Sequence, residues 1–198
     1  MKSVLISIQP KWCYKIFNRI GGVDSDPIYE KRFEIRKNRP KNTEPFKCLI
    51  YCTKGKDLLI SVNGIVNKPN EVEIDLTTDS EIQELNGLVI GEFICDRIVE
   101  VLQCNSGWVW ENARVTKDEF FDYLGIPRGT HFGYDKKAYA WHISDLKLYD
   151  KPRELSEFRS YNISGYVMDE NGYPLPSHHI KTPPQSWQYI IREDTDVE

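Results

Sequence analysis

Between Lys31 and Lys41 the chain reads Lys-Arg-Phe-Glu-Ile-Arg-Lys-Asn-Arg-Pro-Lys, six basic residues against one acid. That local balance of +5 sits in a protein of net charge -4, so the rest of the chain carries -9. A positive lip on an acidic body steers an anion to one place. Within the lip, Arg36 offers a planar fork for phosphate, and Lys31 offers a mobile point charge. Glu34 can accept from the amino edge of cytosine or from a hydroxyl. In an extended strand Phe33 and Ile35 turn to the core, while Arg32, Glu34 and Arg36 turn outward and Lys37 follows at the end. Lys31 shares the phase of Phe33, so it can join Glu34 only from the start of the strand or from a bulge. The competing reading is a solvated β surface whose ion pairs are worth roughly 0 to 1 kcal/mol each.

Other residues could complete such a site. Gln9, Lys11 and Trp12 fall where a first strand passes into a helix, whose first turn presents free N–H groups to an anion. Trp12, Trp141 and Trp187 could each stack on a base, a contact worth ~1 to 3 kcal/mol. Each could equally be core. His142, beside Ser144, could join Lys31 and Glu34 in acid/base work if the three converge. A lone strand histidine more often serves structure, and His178-His179 sit in a proline-flanked loop with no evident chemistry. Cys48 and Cys52, four apart on one strand, lie about 13 Å from each other, too far to share a metal. No phosphate loop, G-x-G-x-x-G, H-E-x-x-H or G-x-S-x-G sequence occurs. No metal and no cofactor are expected.

The elements that must hold these residues follow from periodicity. Val4, Ile6 and Ile8 alternate with Ser3, Leu5, Ser7 and Gln9, which predicts a half-buried first strand. Pro10 opens a short helix with Trp12, Ile16 and Ile20 on one face, running to about Arg19 before Gly21-Gly22. Strands are predicted at 32–36, 46–53, 58–62 and 88–101, with Gly91 marking a bulge. The capping-box spacing of Thr116 and Glu119 starts a second helix that ends at Leu124 before Gly125. Residues 139–149 and 186–191 return to strand, and Asn171-Gly172 signals a hairpin between 166–168 and 173–175. One helix follows the first strand and another comes late, which predicts an α+β domain around a small curled sheet or barrel. Residues 1–191 read as one domain with excursions at about 21–28, 63–86 and 159–182, and 192–198 form an acidic tail.

At 198 residues and 40% apolar content the chain can bury one sizeable core. Its longest apolar runs are far short of the ~20 residues that span a bilayer, so no membrane is expected. Five cysteines without a secretory leader point to reduced thiols and a cytoplasmic protein. The acidic balance argues against a general nucleic-acid coat protein.

The run Ser7-Ile8-Gln9-Pro10-Lys11-Trp12, a helix, and then Lys31-x-x-Glu34-x-Arg36-Lys37 resembles the ASCH domains of the PUA-like superfamily, whose signature is G-x-K-x-x-E-x-R. Gly91-Glu92-Phe93, Trp141 to Leu146 and Pro184 to Trp187 are similar, in order, to sheet and rim motifs of bacterial and phage members. The signature glycine is replaced by Tyr29. The resemblance implies a β-barrel with a cleft at the strand-helix junction that recognises RNA or modified nucleotides. A few relatives hydrolyse acetylated cytidine or cut RNA. The leading expectation is an RNA or modified-nucleotide binding module, with Lys31, Arg36 and Lys37 on phosphate and aromatic rims on bases. An alternative is a small hydrolase, acetylcytidine amidohydrolase-like or ribonuclease, using Lys31 and Glu34. Against the amidohydrolase, relatives with that activity carry threonine where this chain has Glu34. A further alternative is a protein-interaction domain presenting 63–86 and the Asn171-Gly172 turn to a protein partner.

Overall fold

The computed structural model describes residues 3–18, 31–41, 45–71, 81–129, 136–161, 168–173 and 177–191. Strand β1 (Ser3–Ile8) passes into helix α1 (Pro10–Phe17) through the extended residue Gln9. Pro10 takes the first helical position, where its fixed φ suits the helix and its missing N–H leaves nothing unpaired. Trp12, Cys13, Ile16 and Phe17 form the buried stripe of α1. The expected stop at Gly21-Gly22 lies outside the described residues.

β1 is the middle strand of a seven-stranded mixed sheet. It pairs in parallel with β3 (Phe46–Cys52) and antiparallel with β13 (Trp187–Ile190). Beyond β3 lie β7 (Val89–Cys95) and β10 (Ser144–Arg153), and beyond β13 lie β11 (Arg159–Tyr161) and β12 (Ser177–His179). The half-buried first strand is therefore corrected, since all six residues of β1 are buried. Val4, Ile6 and Ile8 pack with α1, Cys48, Ile50 and Phe93 on one side. Leu5 packs with Leu49, Tyr51, Phe158 and Ile190 on the other.

Two three-stranded sheets complete the described strands. In one, β2 (Phe33–Arg36) and β8 (Ile98–Glu100) flank β9 (Tyr139–His142). In the other, β5 (Ile65–Asn67) and β6 (Ile82–Glu84) flank β4 (Ile60–Val62), so the ends of the 63–86 excursion form a sheet of their own. The single strand expected over 88–101 divides at Asp96-Arg97 into β7 and β8, which serve different sheets. Among the described residues these ladders do not close a barrel, and the architecture is α+β.

Gly91 does mark a bulge, because the β3–β7 register skips a residue between the pairs Ile50–Gly91 and Tyr51–Val89. A β-carbon there would overlap the Lys147 carbonyl oxygen and lie 2.9 Å from Cζ of Phe17. Helix α3 (Lys117–Leu124) forms with its capping box in place and ends at Gly125 in the left-handed region, φ 55°. Helix α2 (Ser106–Ala113) was not expected from the sequence. It packs with α3 over Phe33 and Ile35, closing the second hydrophobic core. None of the described helices is long and apolar enough to cross a membrane. The Asn171-Gly172 turn forms, with Gly172 at φ 82°, although parts of both expected arms lie outside the described residues. So do the 21–28 excursion and the acidic tail.

Candidate functional site

Lys31 stands two residues before β2, outside the regular pleat, which frees it from the phase of Phe33. Its ammonium lies 3.3 Å from Oε2 of Glu34 and donates to the carbonyls of Phe33 at 2.8 Å and Ala113 at 3.0 Å. Three acceptors meet its three N–H groups. The geometric condition for pairing Lys31 with Glu34 is thus fulfilled from the strand's start.

The other carboxylate oxygen, Oε1 of Glu34, lies 3.1 Å from Nη2 of Arg36 and accepts from the Tyr123 hydroxyl at 2.8 Å. Arg36 also donates to the Ser7 carbonyl at 2.8 Å and, more weakly, to that of Ser186 at 3.4 Å. Its guanidinium therefore ties β2 to the end of β1 and to the chain entering β13. Lys31, Glu34 and Arg36 are only 2%, 1% and 5% exposed. The outward-facing Glu34 and Arg36 expected from alternation are corrected: β2 is buried on both faces, and the solvated-surface reading fails with them. Burial pushes the Lys31 ammonium below its ordinary pKa, and the Glu34 carboxylate works against that fall. Burial likewise raises the Tyr123 phenol, so it stays protonated and donates.

An open cleft of about 840 Å³ adjoins this cluster, bounded by the β1–α1 junction, the end of β2, α3 and the 183–186 segment. Gln9, Lys11, Arg36, Lys37 and Tyr123 line it, whereas Lys31 and Glu34 stand behind its wall. Glu119 and Asp122 bring acidic charge to the same cleft. Glu119 is engaged already, 2.9 Å from Lys11 and 3.4 Å from Lys15, while its carboxylate accepts from the Thr116 N–H. Partial burial alone would raise its pKa, but the Thr116 N–H, Lys11 and Lys15 outweigh that and draw it down to about 2. Of the six cations in the 31–41 lip, Arg32, Lys37, Arg39 and Lys41 remain exposed.

Several expected partners fall elsewhere. Trp12 is buried, with Lys11 and Lys15 each 4.6 Å from its ring centre, Lys31 at 5.5 Å, and Tyr123 edge-on. Trp141 is wholly inside the main core against Phe46 and Trp187, and Trp187 is half-buried between Trp141 and Tyr189. The base-stacking faces expected of Trp12 and Trp141 are therefore covered by protein. Arg32 is exposed at the start of β2, tied to α2 through its N–H to the Asn112 carbonyl, and does not line the cleft. His142 pairs across the ladder with Phe33 and so projects on the face opposite Glu34. Its Nδ1 meets Asp96 at 2.6 Å, and the expected Lys31, Glu34 and His142 triad does not assemble.

Tyr123 and Glu119 were not among the site residues expected from the sequence, although Glu119 was placed in the capping box of α3. Both lie on the α3 face toward α1, and the capping box had already located that helix. A buried tyrosine hydroxyl needs a partner, which was the available signal. Among the described residues no group of three or more metal-ligating side chains occurs.

No family model and no curated protein matches the sequence. Solved structures do match it in shape, and they define the class: the chain has the fold of the ASCH domain. One is the crystal structure of an ASCH protein from Zymomonas mobilis, 18% identical, covering 98% of this chain and 90% of that one with a TM-score of 0.51. A tyrosine-to-phenylalanine mutant of that protein matches at 17% identity over 98% and 93% of the two chains, with a TM-score of 0.52. A serine-to-alanine mutant matches at 18% over 98% and 90%, also at 0.52.

Proposed function

We propose that residues 1–191 form one domain that binds RNA or a modified nucleotide in the cleft between the β1–α1 junction and α3. The carrying observation is the position of Arg36 and Lys37 on that cleft, directly over a buried cluster that holds Arg36 in place. Lys31, Arg36 and Glu34 together hold two positive charges against one negative, and the surplus reaches the cleft through Arg36. Lys37 supplies exposed charge for phosphate, and Gln9 and Gln185 supply hydrogen bonds for a base. The role of Lys31 in this reading is to position Glu34 and β2. The sheet of β2, β9 and β8 would fold against the large sheet across Trp141 as in a PUA-like barrel. Five free cysteines, four of them buried, fit a cytoplasmic protein.

Equilibrium binding to a panel of single-stranded RNAs, nucleotides and N4-acetylcytidine tests this. At least one ligand should bind and be weakened by Lys37→Ala. A panel with no binder overturns the proposal.

One observation favours turnover as a second reading: Lys31, with its lowered pKa, lies 3.3 Å from Glu34. Such a pair can exchange protons with a substrate or a water once the wall at Arg36 and Tyr123 opens. Deacetylation of N4-acetylcytidine or cleavage of labelled RNA, abolished by Lys31→Met in a folded protein, would establish it. Binding without product would exclude it.

A further inference from the structure

We infer that Trp108, with Arg97 and Arg32, forms a second nucleic-acid contact, a stacking platform for an unpaired base at the opposite end of β2 from the cleft. The inference rests on the proposed RNA binding. Trp108 lies in the first turn of α2 and is 47% exposed, whereas Trp12 and Trp141 are sealed inside. Its ring is not loose. It sits edge-on to Phe33, 5.3 Å between centres at 63°, and Phe33 is itself buried. An anchored, half-open indole has already lost most of the freedom that stacking would take away.

The surroundings suit a nucleotide strand. The exposed Arg97 guanidinium lies 5.9 Å from the same Phe33 ring, and the His142 ring packs there at 5.3 Å. Asp96, the acid next to Arg97, is taken up by His142 at 2.6 Å. The exposed Arg32 is joined to α2 through its backbone bond to Asn112, one turn beyond Trp108. Every base offers a π face to an indole, and the Arg97 guanidinium, which shares the Phe33 ring with Trp108, can answer the phosphate. Phe33 and Arg36 bound β2, so their backbones stand roughly 10 Å apart along the strand at ~3.3 Å per residue, and their side chains leave opposite faces. A single nucleotide cannot occupy both platform and cleft, whereas a strand of several nucleotides passing around the edge of β2 can.

The test compares a fluorescein-labelled single-stranded RNA of about eight nucleotides, within the usual reach of a single-strand site, with cytidine monophosphate. Trp108→Ala should weaken the oligonucleotide about fivefold or more and leave the mononucleotide unchanged. Arg97→Ala should lower the salt slope of oligonucleotide binding by about 0.7. Tyr173→Ala, which removes another exposed aromatic, should change neither. If Lys37→Ala weakens the oligonucleotide while Trp108→Ala does not, the platform falls alone and the patch is left to a protein partner. If the wild type binds no RNA, both readings fall.

Discussion

Lys31 and Glu34 meet at 3.3 Å with almost no exposed surface on either side chain. A lysine in the phase of Phe33 would point away from Glu34, and the contact exists because Lys31 precedes the first regular residue of β2. Burying two charges costs several kcal/mol each, and mutual attraction offsets that only with further hydrogen bonds. The Phe33 and Ala113 carbonyls, the Tyr123 hydroxyl and Arg36 supply them.

Removing the shared anion should therefore be costly. Glu34→Gln leaves Lys31 and Arg36 buried together without a counter-charge and should cost about 3 to 5 kcal/mol. Lys31→Met should cost less, since Glu34 keeps Arg36 and Tyr123. Urea unfolding of both variants checks the order, and a Glu34→Gln protein within about 0.5 kcal/mol of wild type would contradict it.

Glu119 ties α3 to Lys11 and Lys15 on α1, and its folded pKa is depressed to about 2 from an ordinary 4.5. The unfolded carboxyl binds its proton first on acidification, so stability falls as pH drops. The contribution is whole above pH 4.5 and is lost as pH falls through about 2. After solvent screening it should be on the order of 1 kcal/mol. Acid unfolding of Glu119→Gln should start from lower stability at pH 7 and lose less over that range, and an unchanged acid limb would count against the linkage.

Gly91 leaves no room for a side chain between the Lys147 backbone and Phe17. Gly91→Ala should shift β10 or α1 and destabilise by about 3 kcal/mol, read as a lowered melting temperature. A neutral substitution would mean that the bulge is not held as described.

Much of this was legible in the sequence where the cause is local. Thr116 and Glu119 announced α3 through a four-residue cap, and Pro10 announced α1. Helix α2 was missed because Gly107, Trp108 and Trp110 blur its apolar stripe and its N-terminal Asn105 makes no side-chain cap. The burial of β1 on both faces depends on Phe158 and Ile190, which arrive from far along the chain. Within the site, the resemblance to the ASCH signature singled out Lys31, Glu34 and Arg36, and the fold brings the three within ion-pair distance. Composition could not show that two of the lip's six cations turn inward, because that depends on α2 and Tyr123 covering them. It also could not separate Trp12 and Trp141, which are core, from Trp108, which is open.

The most direct test of nucleic-acid binding in the cleft is the affinity for a single-stranded RNA as a function of salt, in the wild type and in Lys37→Ala. If Lys37 neutralises one phosphate, the variant binds more weakly and the slope of log K against log salt is smaller by about 0.7. Wild-type binding with an identical slope in both proteins would contradict the cleft as the phosphate site.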